Sequence, residues 1–508
     1  MKNRPLALTG RALIASLLVA TGSLAVAPAT AQSSLPTLGD GADITTSAER
    51  RLGDGIIRQL YRDPDYIDDP VLMEYVQTLW QALLAAARER GELSPELDER
   101  FAWEVLLGRD RTVNAFALPG GYLGVHLGLL GVVGSRDELA SVLAHELSHV
   151  TQRHISRLIA QQNRQTPLMI GAMILGALAA SKSPNAAQAL SIGGQALVVQ
   201  NQLNFSRDME READRVGFGL MAPAGFAPQG FVGMFEKLQQ ANRINDNGSW
   251  PYLRSHPLTT QRVADMQSRL PTGGAAPPAP TLEHGMLAAR ARVLSNPGVD
   301  VLRQWQAEPQ GVGFSALPPA RQAAVLYAAV LAASQLREAA AARVLLPRLQ
   351  QAVQGDALAV RQVGLLAAEV ELAAGDAARA LALVPAGPGR PELLLRAQAL
   401  LRSPAPAQAA PDMAGKLQTW VALHPRDAGA WQLLASVWQA QGQVLRAVRA
   451  EAEAHAARYD YAAAVDRLRA GQDLARQSRT AADHVEASII DTRLRAVESL
   501  LREQTAER

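Results

Sequence analysis

Apolar residues recur at helical spacing along much of the chain, and one such run extends from Leu139 to Val150. Ser135 and Glu138 precede this run at the spacing of a capping box, in which both side chains bind backbone N–H groups at the start of a helix. The pattern therefore predicts a helix that begins near Ser135. Since apolar residues flank it on most sides, we expect the helix to be buried.

The same pattern predicts the neighbouring elements. Residues 47–62 and 70–89 have the alternation of amphipathic helices, and Phe101 to Leu107 has strand character. Thr112 to His126 is expected to form a β-hairpin, because two apolar runs flank a Pro-Gly-Gly turn. Residues 205–221 are expected to form a charged helix.

Two further apolar stretches, residues 167–180 and 186–199, are each shorter than a membrane-spanning helix requires. Three interpretations stay open for them. They could form a buried helical hairpin, a mobile lid over a site, or a surface that contacts a membrane.

The last part of the chain is rich in Ala, Leu, Arg and Gln, and it predicts helices of about 12–16 residues joined by short turns. This is the pitch of a tetratricopeptide array. The clearest repeat runs from Trp431 to Ala454, and Glu369 to Ala380 is similar to another. An unrelated helical bundle is the alternative.

Proline and glycine mark a linker at residues 271–281. We therefore expect one domain over residues 32–270 and an all-α domain over residues 282–508. Each is expected to have its own core, so that the first domain should fold after the second is deleted.

The first 31 residues have the pattern of a secretory signal. Basic residues come first, an apolar stretch follows from Ala12 to Val26, and small residues at 29–31 form a cleavage site. An uncleaved membrane anchor is the alternative. We expect cleavage and export, which in a Gram-negative cell leads to the periplasm.

Composition narrows the range of possible partners and metal ligands. A net charge of +2 over 508 residues gives no large basic field, so we expect no nucleic-acid partner. The chain has no cysteine, so disulfides are excluded and any zinc site must use histidine and carboxylate ligands.

The predicted central helix carries His-Glu-x-x-His, formed by His145, Glu146 and His149. Residues four apart share a helix face, so both imidazoles can reach one ion while the carboxylate lies beside them. Burying these polar groups is costly without a partner, and zinc would be one. A chance match on a core helix is the alternative, which the apolar flanks disfavour.

A third protein ligand must come from elsewhere in the chain. The metzincin pattern fails, because Gln152 and Ile155 occupy its Gly and His positions. His154 is also excluded as a ligand, because a position nine residues after His145 lies on the opposite side of the helix. Glu210 is the best candidate, and Asp214, one turn further on, is expected to hydrogen-bond a ligand imidazole. A solvated charged face is the alternative for this helix.

Three linked motifs now give a resemblance: His-Glu-Leu-Ser-His, the segment from Ser206 to Asp214, and Ser255-His256-Pro257 with Arg262. Together they resemble the HtpX-like and CAAX-prenyl-protease-like zinc peptidases. With the signal pattern and the C-terminal helices, the chain is similar to the periplasmic beta-barrel assembly-enhancing proteases of that family.

The resemblance implies an α+β gluzincin-type metalloprotease domain, mostly helical with a small sheet, followed by a tetratricopeptide-like domain. It implies one Zn²⁺ per chain, with Glu210 as the third ligand. It also implies that an edge strand aligns an extended peptide; here that strand comprises Asn114, Ala115, Phe116 and Ala117.

The expected reaction is peptide hydrolysis. Zinc lowers the pKa of a coordinated water towards about 7, and Glu146 is expected to take the proton and deliver it to the leaving amine. His256 or Arg262 could supply an oxyanion donor. His256 could instead cap or pack a helix beside Pro257, or fill the open position on the metal as a brake. We take the brake as the working hypothesis.

The expected function is therefore that of a periplasmic zinc endopeptidase that acts on polypeptide substrates. We expect it to degrade misfolded or stalled proteins and to assist outer-membrane protein assembly. The helical repeats are expected to bind outer-membrane assembly components, and residues 167–199 to give a peripheral membrane contact. The alternative is a chaperone or assembly scaffold that binds partners and cleaves little.

Overall fold

The computed structural model describes most of the chain beyond residue 43, namely residues 44–161, 206–243, 249–270, 280–295, 297–404, 406–477 and 481–506. These residues all belong to one compact unit that begins at Ala42. The expected signal peptide, both apolar stretches between 167 and 199, and most of the linker lie outside the described residues. None of the described helices is both long and apolar enough to cross a membrane.

The first part of the chain is mostly helical. Its described helices are α1 (Thr46–Leu60), α2 (Pro70–Glu89), α3 (Pro95–Arg100), α4 (Leu127–Val132), α5 (Arg136–Thr151), α6 (His154–Gln161), α7 (Arg207–Met221), α8 (Gln229–Arg243), α9 (Tyr252–Ser255) and α10 (Thr260–Arg269). The helices predicted at 47–62, 70–89 and 205–221 are thus confirmed, with shifts of at most two residues at their ends.

A four-stranded sheet lies beside these helices, with strand order β1 (Tyr66–Ile67), β2 (Glu104–Gly108), β4 (Tyr122–His126), β3 (Ala115–Leu118). β2 is parallel to β4, whereas β3 pairs with β4 in an antiparallel hairpin. The hairpin prediction is confirmed. The predicted strand at 101–107 begins later, at Glu104, because Trp103 has a left-handed φ of 52° that an extended strand does not allow.

The hairpin turn depends on glycine. Gly120 and Gly121 have φ values of 77° and 82°, a region that glycine enters without a steric cost. A Cβ atom on Gly121 would also lie 2.8 Å from Cβ of Phe101. The turn therefore positions β3 at the sheet edge, where β4 is its one hydrogen-bonded neighbour among the described strands.

Helices continue to the C-terminus. The described ones are α11 (Leu282–Leu294), α12 (Val299–Ala307), α13 (Pro319–Gln335), α14 (Ala339–Ala352), α15 (Ala357–Ala373), α16 (Ala377–Leu383), α17 (Arg390–Leu401), α18 (Pro406–Leu423), α19 (Ala428–Ala440), α20 (Val444–Ala457), α21 (Tyr461–Gln477) and α22 (Ala481–Ala506). We call α11–α22 the helical array. Both segments predicted as repeats contain a helix–turn–helix, with Gly375 and Gly442 at the turns. The tetratricopeptide class of these pairs stays a prediction.

One hydrophobic core crosses the predicted boundary between the two parts. It includes Leu84 and Leu143 on one side and Leu287 and Leu395 on the other. α11 packs against α4, and α17 packs against α2. The expectation that each part has a core of its own is therefore wrong for this face of the array. The exact domain bounds stay a prediction.

Three arginines of the array reinforce this contact. Each guanidinium pairs with one carboxylate near the start of α2 and with a second carboxylate in the array. The pairs are Arg290 with Asp69 (2.6 Å) and Glu369 (2.8 Å), Arg361 with Glu74 (2.6 Å) and Glu392 (2.5 Å), and Arg390 with Asp68 (2.7 Å) and Asp427 (2.7 Å). Since α2 packs directly on α5, the array contributes to the support of the central helix.

Candidate metal centre and active site

α5 begins as the capping pattern predicts. The Ser135 hydroxyl accepts a hydrogen bond from the backbone N–H of Glu138 at 3.1 Å. The Glu138 carboxylate reaches back by one residue more than in a capping box and accepts from the N–H of Gly134. Every residue from Leu139 to Thr151 is buried, between α2, α7, α8 and β3. The prediction of a buried helix is confirmed.

α5 and α7 bring four donor side chains together with the loop after α9: His145, His149, Glu210 and His256. All four are buried, and one ligand atom from each lies within 4.8 Å of the others. Nε2 of His145 is 3.0 Å from Nε2 of His149. The Glu210 oxygens lie 3.5 Å from the first of these atoms and 3.4 Å from the second. The expected third ligand is therefore in place.

These distances are close to those expected for tetrahedral zinc. Zinc–nitrogen and zinc–oxygen bonds of about 2.0–2.2 Å place neighbouring ligand atoms of a tetrahedron about 3.3–3.6 Å apart. Nδ1 of His256 is 3.3 Å from Nε2 of His145 and 3.0 Å from Oε1 of Glu210. The donor set is also the one that zinc uses in the absence of cysteine. The residues present thus fit zinc in donor type and approximate spacing: three of the five distances lie at 3.3–3.5 Å and two, at 3.0 Å, are shorter. His256 lies close enough to join the other three donors.

The first ligand imidazole is held from behind. Nδ1 of His145 lies 3.0 Å from Oδ1 of Asp214, the contact expected from the sequence. Arg262 then donates to both oxygens of Asp214, at 2.6 and 2.8 Å. Burial acts to raise the pKa of Asp214, but hydrogen bonds from Arg262 and His145 outweigh it and lower that pKa. Asp214 is therefore an anion that fixes the imidazole's tautomer.

Arg262 was considered above as an oxyanion donor, but its contacts favour a different role. Besides Asp214, its guanidinium contacts Glu210 at 2.7 Å and the backbone oxygen of Pro257 at 2.9 Å. All three guanidinium nitrogens thus have acceptors within the protein. The geometry favours Arg262 as a positioning residue, because each of its nitrogens already contacts a protein acceptor and the side chain is buried.

Glu146 lies between the donor cluster and the sheet. Its Oε2 accepts a hydrogen bond from the backbone N–H of Ala117 in β3, at 2.9 Å. Its Oε1 lies 3.3 Å from Nε2 of His256. Burial raises the pKa of Glu146, which is the direction that a general base needs if it is to return its proton.

The strand residues predicted to align a peptide form the sheet edge. Ala115, Phe116 and Ala117 belong to β3, and Asn114 precedes it, its backbone oxygen accepting from the N–H of His126. The ring of Phe116 covers Gly124 on the neighbouring strand, so closely that a Cβ there would lie 2.2 Å away. Ala117 connects this edge directly to Glu146, because its backbone N–H donates to the Glu146 carboxylate.

His256 also packs as an aromatic ring. It follows α9 directly and stacks on Tyr252, with ring centroids 4.5 Å apart at an angle of 29°. The packing role considered from the sequence and a role at the metal are thus compatible in one side chain. Tyr252 was missed by the sequence reasoning, since nothing in its local pattern marks it as a neighbour of the site.

The sequence reasoning assumed that His154 lies on the helix of the His-Glu-x-x-His motif. The structure places it outside that helix. α5 ends at Thr151, and Arg153 has a left-handed φ of 53°. His154 then starts α6, and its Nδ1 lies 2.8 Å from Nδ1 of His149. It is outside the donor group, but the reason given for excluding it was wrong. Burial lowers the pKa of His154 to about 4, so the imidazole is neutral.

Two of the four donors, His149 and Glu210, are in the charge states that metal binding requires. Burial lowers the pKa of His149 well below its ordinary value, and a neutral imidazole is the form that binds a metal. Burial would raise the pKa of Glu210, but His256 and His145 outweigh it and hold that pKa well below its usual range. A neutral imidazole and a carboxylate anion are the states that zinc requires. Burial acts to lower the pKa of His145, but hydrogen bonds with Asp214 and Glu210 outweigh it and raise that pKa to about 10, so this imidazole would release a proton when a metal binds.

The fold and this donor set indicate a zinc peptidase, and a comparison with known protein families supports that class. The model of Peptidase family M48 matches residues 77–270. Residues 77–270 are therefore similar to a Peptidase family M48 domain, and this segment includes every donor residue described above.

Individual relatives carry more specific names. The chain is 34% identical to the beta-barrel assembly-enhancing protease of Escherichia coli over 261 residues, 51% of this chain and 52% of the relative. It is 33% identical to the protein of that name from Yersinia pestis, over 57% of this chain and 58% of the relative. It is 27% identical to the mitochondrial metalloendopeptidase OMA1 of Saccharomyces cerevisiae, over 39% of this chain and 55% of the relative.

The matched part thus spans about half the length of these curated relatives. The resemblance drawn from the three motifs is confirmed for the peptidase domain. The tetratricopeptide class of the C-terminal helices stays a prediction.

Proposed function

We propose that this protein is a zinc-dependent endopeptidase that cleaves polypeptides bound in extended form along β3. The observation that carries the proposal is the buried cluster of His145, His149 and Glu210 with Glu146 beside it, hydrogen-bonded to the edge strand. A structural zinc site would need neither a spare buried carboxylate nor a strand edge next to it.

The residues divide the chemistry among them. Bound zinc supplies a Lewis acid that polarises a scissile carbonyl and acidifies water. Glu146 takes a proton through Oε1, the oxygen that Ala117 leaves unoccupied, and returns it to the leaving amine. Asp214 and Arg262 hold His145 and Glu210 in their orientations. β3 aligns the substrate backbone by strand addition.

His256 acts as a brake in this proposal. Its Nδ1 is close to both His145 and Glu210, at the corner that an open catalytic position would occupy. Substrate entry then requires the imidazole to move away. The loop after α9 carries it, outside the two ligand helices, so it can move while α5 and α7 stay in place.

The cellular setting follows from the sequence. The N-terminal signal pattern supports export to the periplasm, with residues 32–270 as the protease domain and the helical array as the binding surface for partners. The relatives named as beta-barrel assembly-enhancing proteases support outer-membrane assembly components as those partners. The expected role is removal of misfolded or stalled proteins at the outer membrane, with peripheral membrane contact.

The test combines metal content with casein hydrolysis by the full-length protein, with and without chelator. Glu146→Gln should keep about one zinc per chain and lose turnover by at least about 100-fold, because it removes the base and no ligand. Glu210→Gln should lose zinc. Glu236→Gln, an exposed carboxylate on α8, is the matched control and should resemble the wild type.

The scaffold alternative gives a different result. If Glu146→Gln restores full function in a complementation assay, partner binding by the array is the main activity. Full zinc occupancy in Glu210→Gln would show that Glu210 is no ligand.

A further inference from the structure

A strained turn sits directly behind the second ligand imidazole. Arg153 is the second of the two residues between α5 and α6, and its left-handed φ of 53° is a conformation that costs a non-glycine residue free energy. Its side chain is held by Glu49 at 3.1 Å and by Ser156 at 3.0 Å. These contacts maintain the turn, and the turn brings His154 back against His149.

His154 begins a chain of polar contacts. Its Nδ1 lies 2.8 Å from Nδ1 of His149, and its Nε2 lies 3.0 Å from Oε2 of Glu212. Glu212 in turn accepts from Arg157 at 2.9 Å. The chain therefore runs from His149 through an imidazole and a carboxylate to a guanidinium, and it links α5, α6 and α7.

The direction of the hydrogen bonds follows from the chemistry of the ends. His149 presents Nε2 to the donor cluster, so its proton belongs on Nδ1, which donates. Nδ1 of His154 must then accept, which places the proton of His154 on Nε2, facing the Glu212 carboxylate. Every group in the chain has one consistent state.

The arrangement has a counterpart on the other ligand. His145 is backed by Asp214 and then by Arg262, as described above. A ligand histidine whose second nitrogen is held by a fixed acceptor keeps its tautomer and ring orientation, and removing such partners costs about 10–100-fold in metal affinity. For His149, the group that faces the second nitrogen is another imidazole, that of His154.

We infer that His154 is a positioning residue that fixes the tautomer and orientation of His149 for zinc binding, and that Glu212 fixes His154 in turn. The inference rests on the proposed function, since it concerns the same metal. It assigns a role to a histidine that lies outside the ligand set and is buried within 3 Å of it.

The test is the zinc affinity of the full-length protein, measured by competition with a chromophoric chelator. His154→Leu cannot accept a hydrogen bond, and we expect zinc affinity to fall about 10–100-fold. His154→Asn carries an amide oxygen near the position of Nδ1, and we expect it to retain affinity within about threefold of the wild type. The absorption bands of the cobalt-substituted protein should shift in His154→Leu and return in His154→Asn.

His284→Leu is the matched control. His284 is also buried with both ring nitrogens engaged, by Tyr75 and by the backbone oxygen of Val133, but it is not a member of the donor cluster. It should lower the free energy of unfolding and leave zinc affinity unchanged. If His154→Leu behaves in the same way, or if His154→Asn binds zinc no better than His154→Leu, the inference is wrong. Wild-type protein that binds no zinc would instead overturn the proposed function and this inference with it.

Discussion

Arg290 and Asp69 form a two-point ion pair that joins the helical array to the first turn of α2. Nε and Nη2 of Arg290 lie 2.9 and 2.6 Å from the two carboxylate oxygens. Oδ1 of the same carboxylate caps α2 by accepting from the backbone N–H of Leu72 at 2.8 Å. The start of a helix that supports α5 therefore depends on a residue of the array.

Arg290→Met should be strongly destabilising. Arg290 is 4% exposed, so its removal leaves Asp69 as a buried carboxylate without its cation. Breaking a buried pair in this way typically costs about 3–5 kcal/mol. The free energy of unfolding from guanidinium denaturation measures the change. Arg88→Met is the control, since Arg88 and Asp98 form an exposed pair worth at most about 1 kcal/mol. Equal losses in the two variants would contradict the prediction.

Deleting residues 282–508 should now prevent the first part from folding, contrary to the expectation from the linker composition. The deletion exposes core residues on α2 and α4 that α11 and α17 cover. We expect an aggregated fragment with little bound zinc. Near-ultraviolet circular dichroism and metal analysis measure both properties. A monomeric fragment that binds zinc and unfolds cooperatively would restore the separate-core interpretation.

His256→Ala should raise basal casein hydrolysis and self-cleavage. In the proposed brake, the imidazole beside His145 and Glu210 must move before a substrate can enter, and the substitution removes it. The opposing role, oxyanion stabilisation, predicts a fall in turnover of about 100-fold. Initial rates distinguish the two signs. His455→Ala, a partly exposed histidine of the array, should leave the rate unchanged. A rate for His256→Ala equal to that of the wild type would exclude both roles.

Acidification should weaken the fold through His284. Burial lowers the pKa of His284, although the hydrogen bond to Val133 and the charge of Asp137 oppose the shift, and Lys237 and Arg136 add to it. The unfolded chain then binds a proton more readily than the folded one. Stability is therefore full above the ordinary histidine pKa of about 6.5 and is lost as pH falls below it.

The measurement is the free energy of unfolding of wild type and His284→Gln between pH 7.5 and pH 5, a range we choose to bracket the ordinary histidine pKa at about 6.5. The wild type should lose more stability over this range than the variant, by at most about 1.4 kcal/mol per pH unit. Parallel curves would show that His284 does not titrate with unfolding.

Local pattern was sufficient for the elements that carry the ligands. The cap at Ser135, the apolar faces of α5 and the glycines of the hairpin turn each depend on residues close in sequence, and each was predicted. Glu210 could be selected as the candidate third ligand because it and Asp214 share a helix face, and the structure places it beside both motif histidines. These features depend on periodicity and on turn chemistry, which a sequence displays directly.

Features that depend on tertiary contacts could not be predicted in the same way. The left-handed turn at Arg153 has no glycine or proline to mark it, and it is held by Glu49, about a hundred residues earlier in the chain. His154 was therefore placed on the wrong helix. Likewise the apolar residues of α11 have the same pattern whether they pack within the array or against α4.

The core that α2 and α4 share with α11 and α17 makes the covalent connection at residues 271–281 dispensable once the chain has folded. A chain cut there should migrate as a single particle in gel filtration and as two bands after denaturation. The two halves, synthesised together in one cell as separate polypeptides, should assemble and form the zinc site, because neither then has to fold alone. The two parts of the chain would then associate as the subunits of a heterodimer do, although they are synthesised as one polypeptide.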